Sequence, residues 1–214
     1  MTEQTDSRPF YRDALTWARD VVAHVPADRM ADKTPCPEWN VRDLLGHLVA
    51  TVDRARVVGE GGDPQRVLRH RQARQATGPG VSEPSDPMPR VVTGVPDDGW
   101  AGALEAAEVA MAAVWADDAR LDTLVTVPWG RVTGREAVWG YTREALVHGW
   151  DLAVATAQDA EADPVTARAA LASARRTTPA NVRGGPIPFA SPVESRPGAG
   201  PTEELANWCG HARI

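Results

Sequence analysis

From Thr133 to about Ala157 the chain reads as one long helix, opened by the capping box Thr133-Gly134-Arg135-Glu136, and this helix constrains the fold more than any other segment. It sets Glu144 and His148 four residues apart, so a carboxylate and an imidazole project from one face. Around them stand Tyr141, Ala145 and Leu152, which belong in a core, where an unpaired carboxylate is costly. Something has to compensate Glu144. A third candidate, His47, lies within the apolar stretch Leu44-Leu45-Gly46-His47-Leu48-Val49. If the two helices pack side by side, the three residues form a His, His, Glu set of the kind that holds catalytic zinc with a fourth position open. Each part also has a plainer reading: the Glu-His pair as a solvated helix face, and His47 as a satisfied core histidine.

Helical spacing recurs elsewhere. Phe10, Ala14, Trp17, Val21 and Val25 mark a first helix from about Pro9 to Val25, stopped by Pro26. A second follows Asn40, with Asp43 at the capping-box position, and directs Leu44, Leu48, Val52 and Ala55 to a core. A third starts near Asp97 and stacks Trp100, Leu104, Ala107, Met111 and Val114. The helix of Glu144 is the fourth, and Asp163-Pro164 opens a shorter fifth. Leu121 to Val127 alternates and is β-branched, and Pro128-Trp129-Gly130 reads as a turn, which fits a short hairpin or extended crossover. These elements describe an all-α fold, a four-helix bundle with a crossover before its fourth helix and an extra C-terminal helix, Thr202 to Trp208, docking Leu205 and Trp208.

Two stretches do not read as helix core. The connection from Gly59 to Pro96 is rich in Pro and Gly and long for a compact domain, which marks a lid or a solvated linker. Within it Arg66, Arg69, Arg71 and Arg74 lie on a basic segment that either binds an anionic cofactor or substrate or is simply solvated. The stretch from Thr177 to Pro201 is similarly rich in Pro and Gly.

With 214 residues the chain can bury a full core, and a single domain over 1–214 is expected. A net charge of −6 and a pI near 5.4 argue against nucleic acid or an anionic membrane as the main partner. No apolar run is long enough to span a membrane, and the start Met1-Thr2-Glu3-Gln4-Thr5-Asp6 is unlike a signal peptide, so a cytoplasmic protein, monomer or homodimer, is expected. Cys36 and Cys209 read as free thiols, Cys36 in a structural Pro-Cys-Pro turn. Lys33 is the only lysine, a bias that suggests a GC-rich bacterial genome.

The stretch Thr34-Pro35-Cys36-Pro37-Glu38-Trp39-Asn40-Val41-Arg42-Asp43-Leu44-Leu45-Gly46-His47-Leu48-Val49, followed by Glu144-Ala145-Leu146-Val147-His148-Gly149-Trp150-Asp151-Leu152, resembles actinobacterial metal-binding proteins of the DinB-like superfamily. These group with the N-terminal domain of mycothiol-dependent maleylpyruvate isomerase. The similarity extends over nearly the whole chain, through Val127-Pro128-Trp129-Gly130 to Leu205. It implies a DinB-like four-helix bundle with a divalent metal, usually zinc, on the residues matching His47, Glu144 and His148. It also implies a low-molecular-weight thiol, mycothiol or bacillithiol, as cosubstrate in S-transfer or isomerisation of an electrophilic small molecule. The sequence stops where maleylpyruvate isomerase continues into a second domain, which argues against that particular reaction.

Three functions remain open at this point: a metal-dependent thiol transferase or isomerase, a thiol-independent cyclase or hydrolase of specialised metabolism, and a non-catalytic metal-binding protein. Tyr141, one turn before Glu144, either donates a proton or hydrogen bond or fills the core. Asp151 either orients the His148 imidazole or pairs with an arginine. Trp39 and Trp150 read as packing residues.

Overall fold

A computed structural model of the chain describes residues 6–62, 90–183 and 190–214. Helix α1 spans Arg8–Ala23, α2 Val41–Gly59, α3 Trp100–Trp115 and the single turn α4 Ala119–Asp122. Strands β1 (Leu124–Val127) and β2 (Gly130–Thr133) lead into α5 (Gly134–Ala155), followed by α6 (Pro164–Thr177) and α7 (Pro201–Trp208). Helix α1 packs on α5, α5 on α2, α2 on α3 and α3 back on α1, which closes a four-helix ring. The α6–α7 pair covers a further side of α5. An all-α bundle with a short hairpin is therefore the architecture, as the helical spacing predicts.

Local chemistry fixes the helix starts. The Asn40 side chain accepts from the Asp43 N–H at 2.9 Å, and Asp163 accepts from Thr166 at 2.8 Å with Pro164 in the first turn. At α5 the box is reciprocal: Thr133 Oγ1 accepts from the Glu136 N–H, and Glu136 Oε2 accepts from the Thr133 N–H at 2.9 Å. The antiparallel hairpin pairs Leu124 with Thr133 and Val127 with Gly130 around Pro128-Trp129. Gly130 closes the turn at φ +142°, where a side chain is strained.

The expected elements differ from the observed ones in two places. Leu121 belongs to α4 rather than to a strand, because Asp117 caps the Ala119 N–H and turns the chain there, so β1 starts at Leu124. Helix α1 stops at Ala23, short of the expected Val25, and its buried face is Tyr11, Ala14, Leu15, Ala18, Val21 and Val22, while Phe10, Trp17 and, past its end, Val25 are only half-buried. The helix meets both α3 and α5, so its apolar face is broader than one stripe. Helix α5 is buried over most of its circumference, Arg143, His148 and Asp151 included, since α1, α2, α6 and α7 all pack on it. Among the described residues no helix is long and apolar enough to cross a membrane.

The segment after residue 90 lies directly against α2. The Val92 N–H donates to the Gly46 carbonyl at 3.0 Å, and a Cβ at Gly46 would stand 2.7 Å from Val91 Cγ1 and nearer still to the Val92 carbonyl oxygen. Gly46→Ala is expected to destabilise the fold by about 1–3 kcal/mol, as overpacking does, with a lower midpoint in chemical denaturation. A midpoint equal to wild type would show that this segment moves aside freely.

Candidate metal centre

Two helix faces build the site. On α2, His47, Thr51 and Arg54 succeed one another at helical spacing, and on α5 Tyr141, Glu144, His148 and Asp151 do the same. The faces run in opposite directions: the His47 and His148 rings meet edge to face at 4.9 Å, whereas the charge of Arg54 acts on Tyr141. His47, Glu144 and His148 each offer one ligand atom, and these atoms lie within 4.8 Å of one another.

Hydrogen bonds fix which nitrogen each histidine presents. Nδ1 of His47 is 2.8 Å from the Arg90 carbonyl oxygen, which only accepts, so this nitrogen carries the proton and Nε2 keeps its lone pair. Nδ1 of His148 donates to Asp151 Oδ2 at 3.1 Å, and Nε2 lies 3.6 Å from Glu144. Glu144 also approaches Arg143 at 3.4 Å, and Arg143 in turn donates to Thr178. Each imidazole thus has its rear nitrogen tied down; Nε2 of His148 faces Glu144, and Nε2 of His47 lies 3.4 Å from Thr51 Oγ1, so both front nitrogens keep the freedom that metal-ligating histidines require.

Electrostatics separate the two histidines. Burial and the neighbouring His148 push His47 down to about 3, so it stays neutral. Burial alone would depress His148 too, but its bond to Asp151 and the nearness of Glu144 outweigh that and raise it to about 9. Desolvation favours the neutral forms of the half-buried Glu144 and the fully buried Asp151. The surrounding imidazoles, with Arg143 beside Glu144, win and hold both carboxyls below their ordinary range.

These residues open onto a cavity of about 440 Å³. Trp39 stacks on His47 at 3.9 Å between ring centres, under the Arg90 guanidinium, so it is a cavity wall as well as a packing residue. Trp150 has no exposed surface and is core. Tyr141 combines both of its expected places: it is 1 % exposed and packs edge to face on Trp129, yet it lines the cavity with a hydroxyl that has no hydrogen-bond partner among the described residues. Asp151 stands behind His148, away from the cavity, and touches imidazoles, with no arginine partner among the described residues. Cys36 and Cys209 are free and line the cavity, and burial pushes their thiols up to about 12 and about 11. Arg66, Arg69, Arg71 and Arg74 lie outside the described residues.

Sequence reasoning misses His211, whose Nδ1 is 2.8 Å from the second oxygen of Asp151 and whose ring lines the same cavity. No helical period leads to it from α5. The one available signal is that a buried Asp151 has two oxygens to satisfy and His148 can occupy only one.

Comparison with known proteins places the chain in a family. The model of the mycothiol maleylpyruvate isomerase N-terminal domain matches residues 11–153, a span holding all three convergent side chains. An uncharacterized protein of Mycobacterium tuberculosis strain H37Rv is 30% identical over 190 residues, covering 89% of each chain. Another uncharacterized protein of that strain is 45% identical over 49 residues, which is 22% of this chain and 19% of its own. No solved structure matches. The chain belongs to the mycothiol maleylpyruvate isomerase N-terminal domain family, within the DinB-like bundles.

Proposed function

We propose that the chain is a metal-dependent enzyme, with zinc held by His47, Glu144 and His148, that uses mycothiol or a similar low-molecular-weight thiol to transfer sulfur to, or isomerise, an electrophilic small molecule. The observation that carries this reading is the convergence of those three side chains at the wall of a cavity, in a chain of a mycothiol-linked family. The donor set fits a divalent ion: the neutral His47 imidazole, the His148 imidazole once its Nε2 proton is displaced, and one carboxylate leave a coordination position for substrate. An ion bound there supplies a Lewis acid that lowers the pKa of a thiol at that position into the neutral range.

The remaining residues have roles that follow from their surroundings. Burial raises the Cys36 and Cys209 thiols, which favours a thiol brought in from outside the chain as the sulfur nucleophile. Glu144, as a ligand, is a poor proton acceptor. Burial raises the Tyr141 hydroxyl above its ordinary range, so it keeps its proton and can donate a hydrogen bond to a substrate oxygen. Trp39 and Trp129 supply apolar walls that exclude water from the reacting atoms.

Elemental analysis of the purified protein is expected to give about one equivalent of zinc or a similar ion, and His148→Ala is expected to lose most of it. Full metal content in that variant would overturn the ligand assignment. Metal must also displace the proton that His148 holds below about pH 9. Apparent affinity in a competition titration should therefore rise with pH, by about tenfold per unit while one proton is displaced. A flat profile would show that His148 is not a ligand.

The thiol is tested separately. Cobalt-substituted protein mixed with mycothiol is expected to develop a sulfur-to-metal charge-transfer band, and an electrophile should be consumed only when thiol is present. Turnover without thiol, and without the band, would replace this reading with a thiol-independent cyclase or hydrolase.

A further inference from the structure

Resting on the reading that His47, Glu144 and His148 hold a metal, we propose that His211 is a positioning residue for that centre, acting on His148 through Asp151. Asp151 has no exposed surface, and its two oxygens are divided between two imidazoles: Oδ2 to Nδ1 of His148 at 3.1 Å and Oδ1 to Nδ1 of His211 at 2.8 Å. A carboxylate only accepts, so both Nδ1 atoms carry their protons and the bonds run one way, from each ring into Asp151. With His148 alone, one buried oxygen would lack a partner and the carboxylate plane would be free to turn, because the terminal torsion of aspartate is broad. The His211 bond removes that freedom, and the plane of Asp151 then sets the plane of His148.

His211 is itself built into place. Its backbone N–H donates to the Ala206 carbonyl at 3.0 Å and its own carbonyl accepts from the Asn207 side chain at 2.8 Å. Gly210, at φ +94°, turns the chain so that the ring faces Asp151, and a Cβ there would stand 2.6 Å from the Cβ of Ala190. Two residues on, Arg213 pairs with the nearly buried Glu203 at 3.2 Å and lies over the Trp150 ring. A segment that merely passed the site would not need these anchors.

The test is zinc affinity, measured by competition against a chromophoric chelator at fixed pH, with near-UV circular dichroism as a check on folding. His211→Ala is expected to weaken binding roughly ten- to a hundredfold, as loss of a partner behind a ligand does. His211→Asn, whose amide N–H stands near the position of Nδ1, should retain most of the affinity. His211→Gln, with its donor further out, should be as weak as His211→Ala. Arg213→Ala, which removes one anchor of the segment but leaves the donor, should weaken binding less than His211→Ala does. Wild-type affinity in His211→Ala, Asn as weak as Ala, or Arg213→Ala as weak as His211→Ala would each overturn the proposal. If His211→Ala does not fold, the Asn and Gln variants decide it between themselves. Wild-type protein that binds no zinc overturns the metal reading itself, in an arm separate from any variant.

Discussion

A carboxylate with no access to water has to find a donor for each oxygen, and at Asp151 that requirement organises the end of the bundle. The residue sits on a helix that other helices surround, so only groups carried in by those neighbours or by the preceding turn of its own helix can satisfy it. One oxygen takes a ring from its own helix, three residues back, and the other takes a ring from the segment beyond α7. The packing of that segment and the aim of His148 are consequently one problem with one solution. Removing either donor leaves a buried charge with half its partners, a change more costly than the loss of one exposed ion pair.

The same reasoning applies on the facing helix with a different acceptor. His47 is tied from behind by the Arg90 carbonyl, part of the segment that lies on Gly46. A backbone carbonyl cannot change its charge, whereas Asp151 brings a full negative charge to His148. The two imidazoles therefore differ in proton affinity although they meet at one point: His47 stays neutral, whereas His148 holds its proton.

Much of this was readable from residue spacing. The capping boxes, the helix spans and the shared face of Glu144 and His148 are local, and local rules fix them. Which residues face a cavity is not local. Trp39 precedes its helix and carries no periodic signal, yet it stacks on His47 because the turn after Cys36 folds back over α2. His211 is farther still from any pattern that includes α5. The stripe on α1 was read one step off for a related reason: a helix wedged between two partners buries more than one row, and spacing alone does not say where that wide face is centred.

His47 and Glu144 come together only when α2 and α5 pack, with Trp100–Trp115, Ala119–Asp122 and the hairpin among the described residues between them in sequence, so bringing them together carries a loop-closure cost. Before that packing, the chain can offer an ion no more than the Glu144 and His148 pair on one helix, a weak chelator. On the reading proposed for this site, binding strength is deferred until the cavity exists: a nascent or partly unfolded copy would have little power to scavenge stray metal from its surroundings, and the folded one would gain stability from the ion it captured.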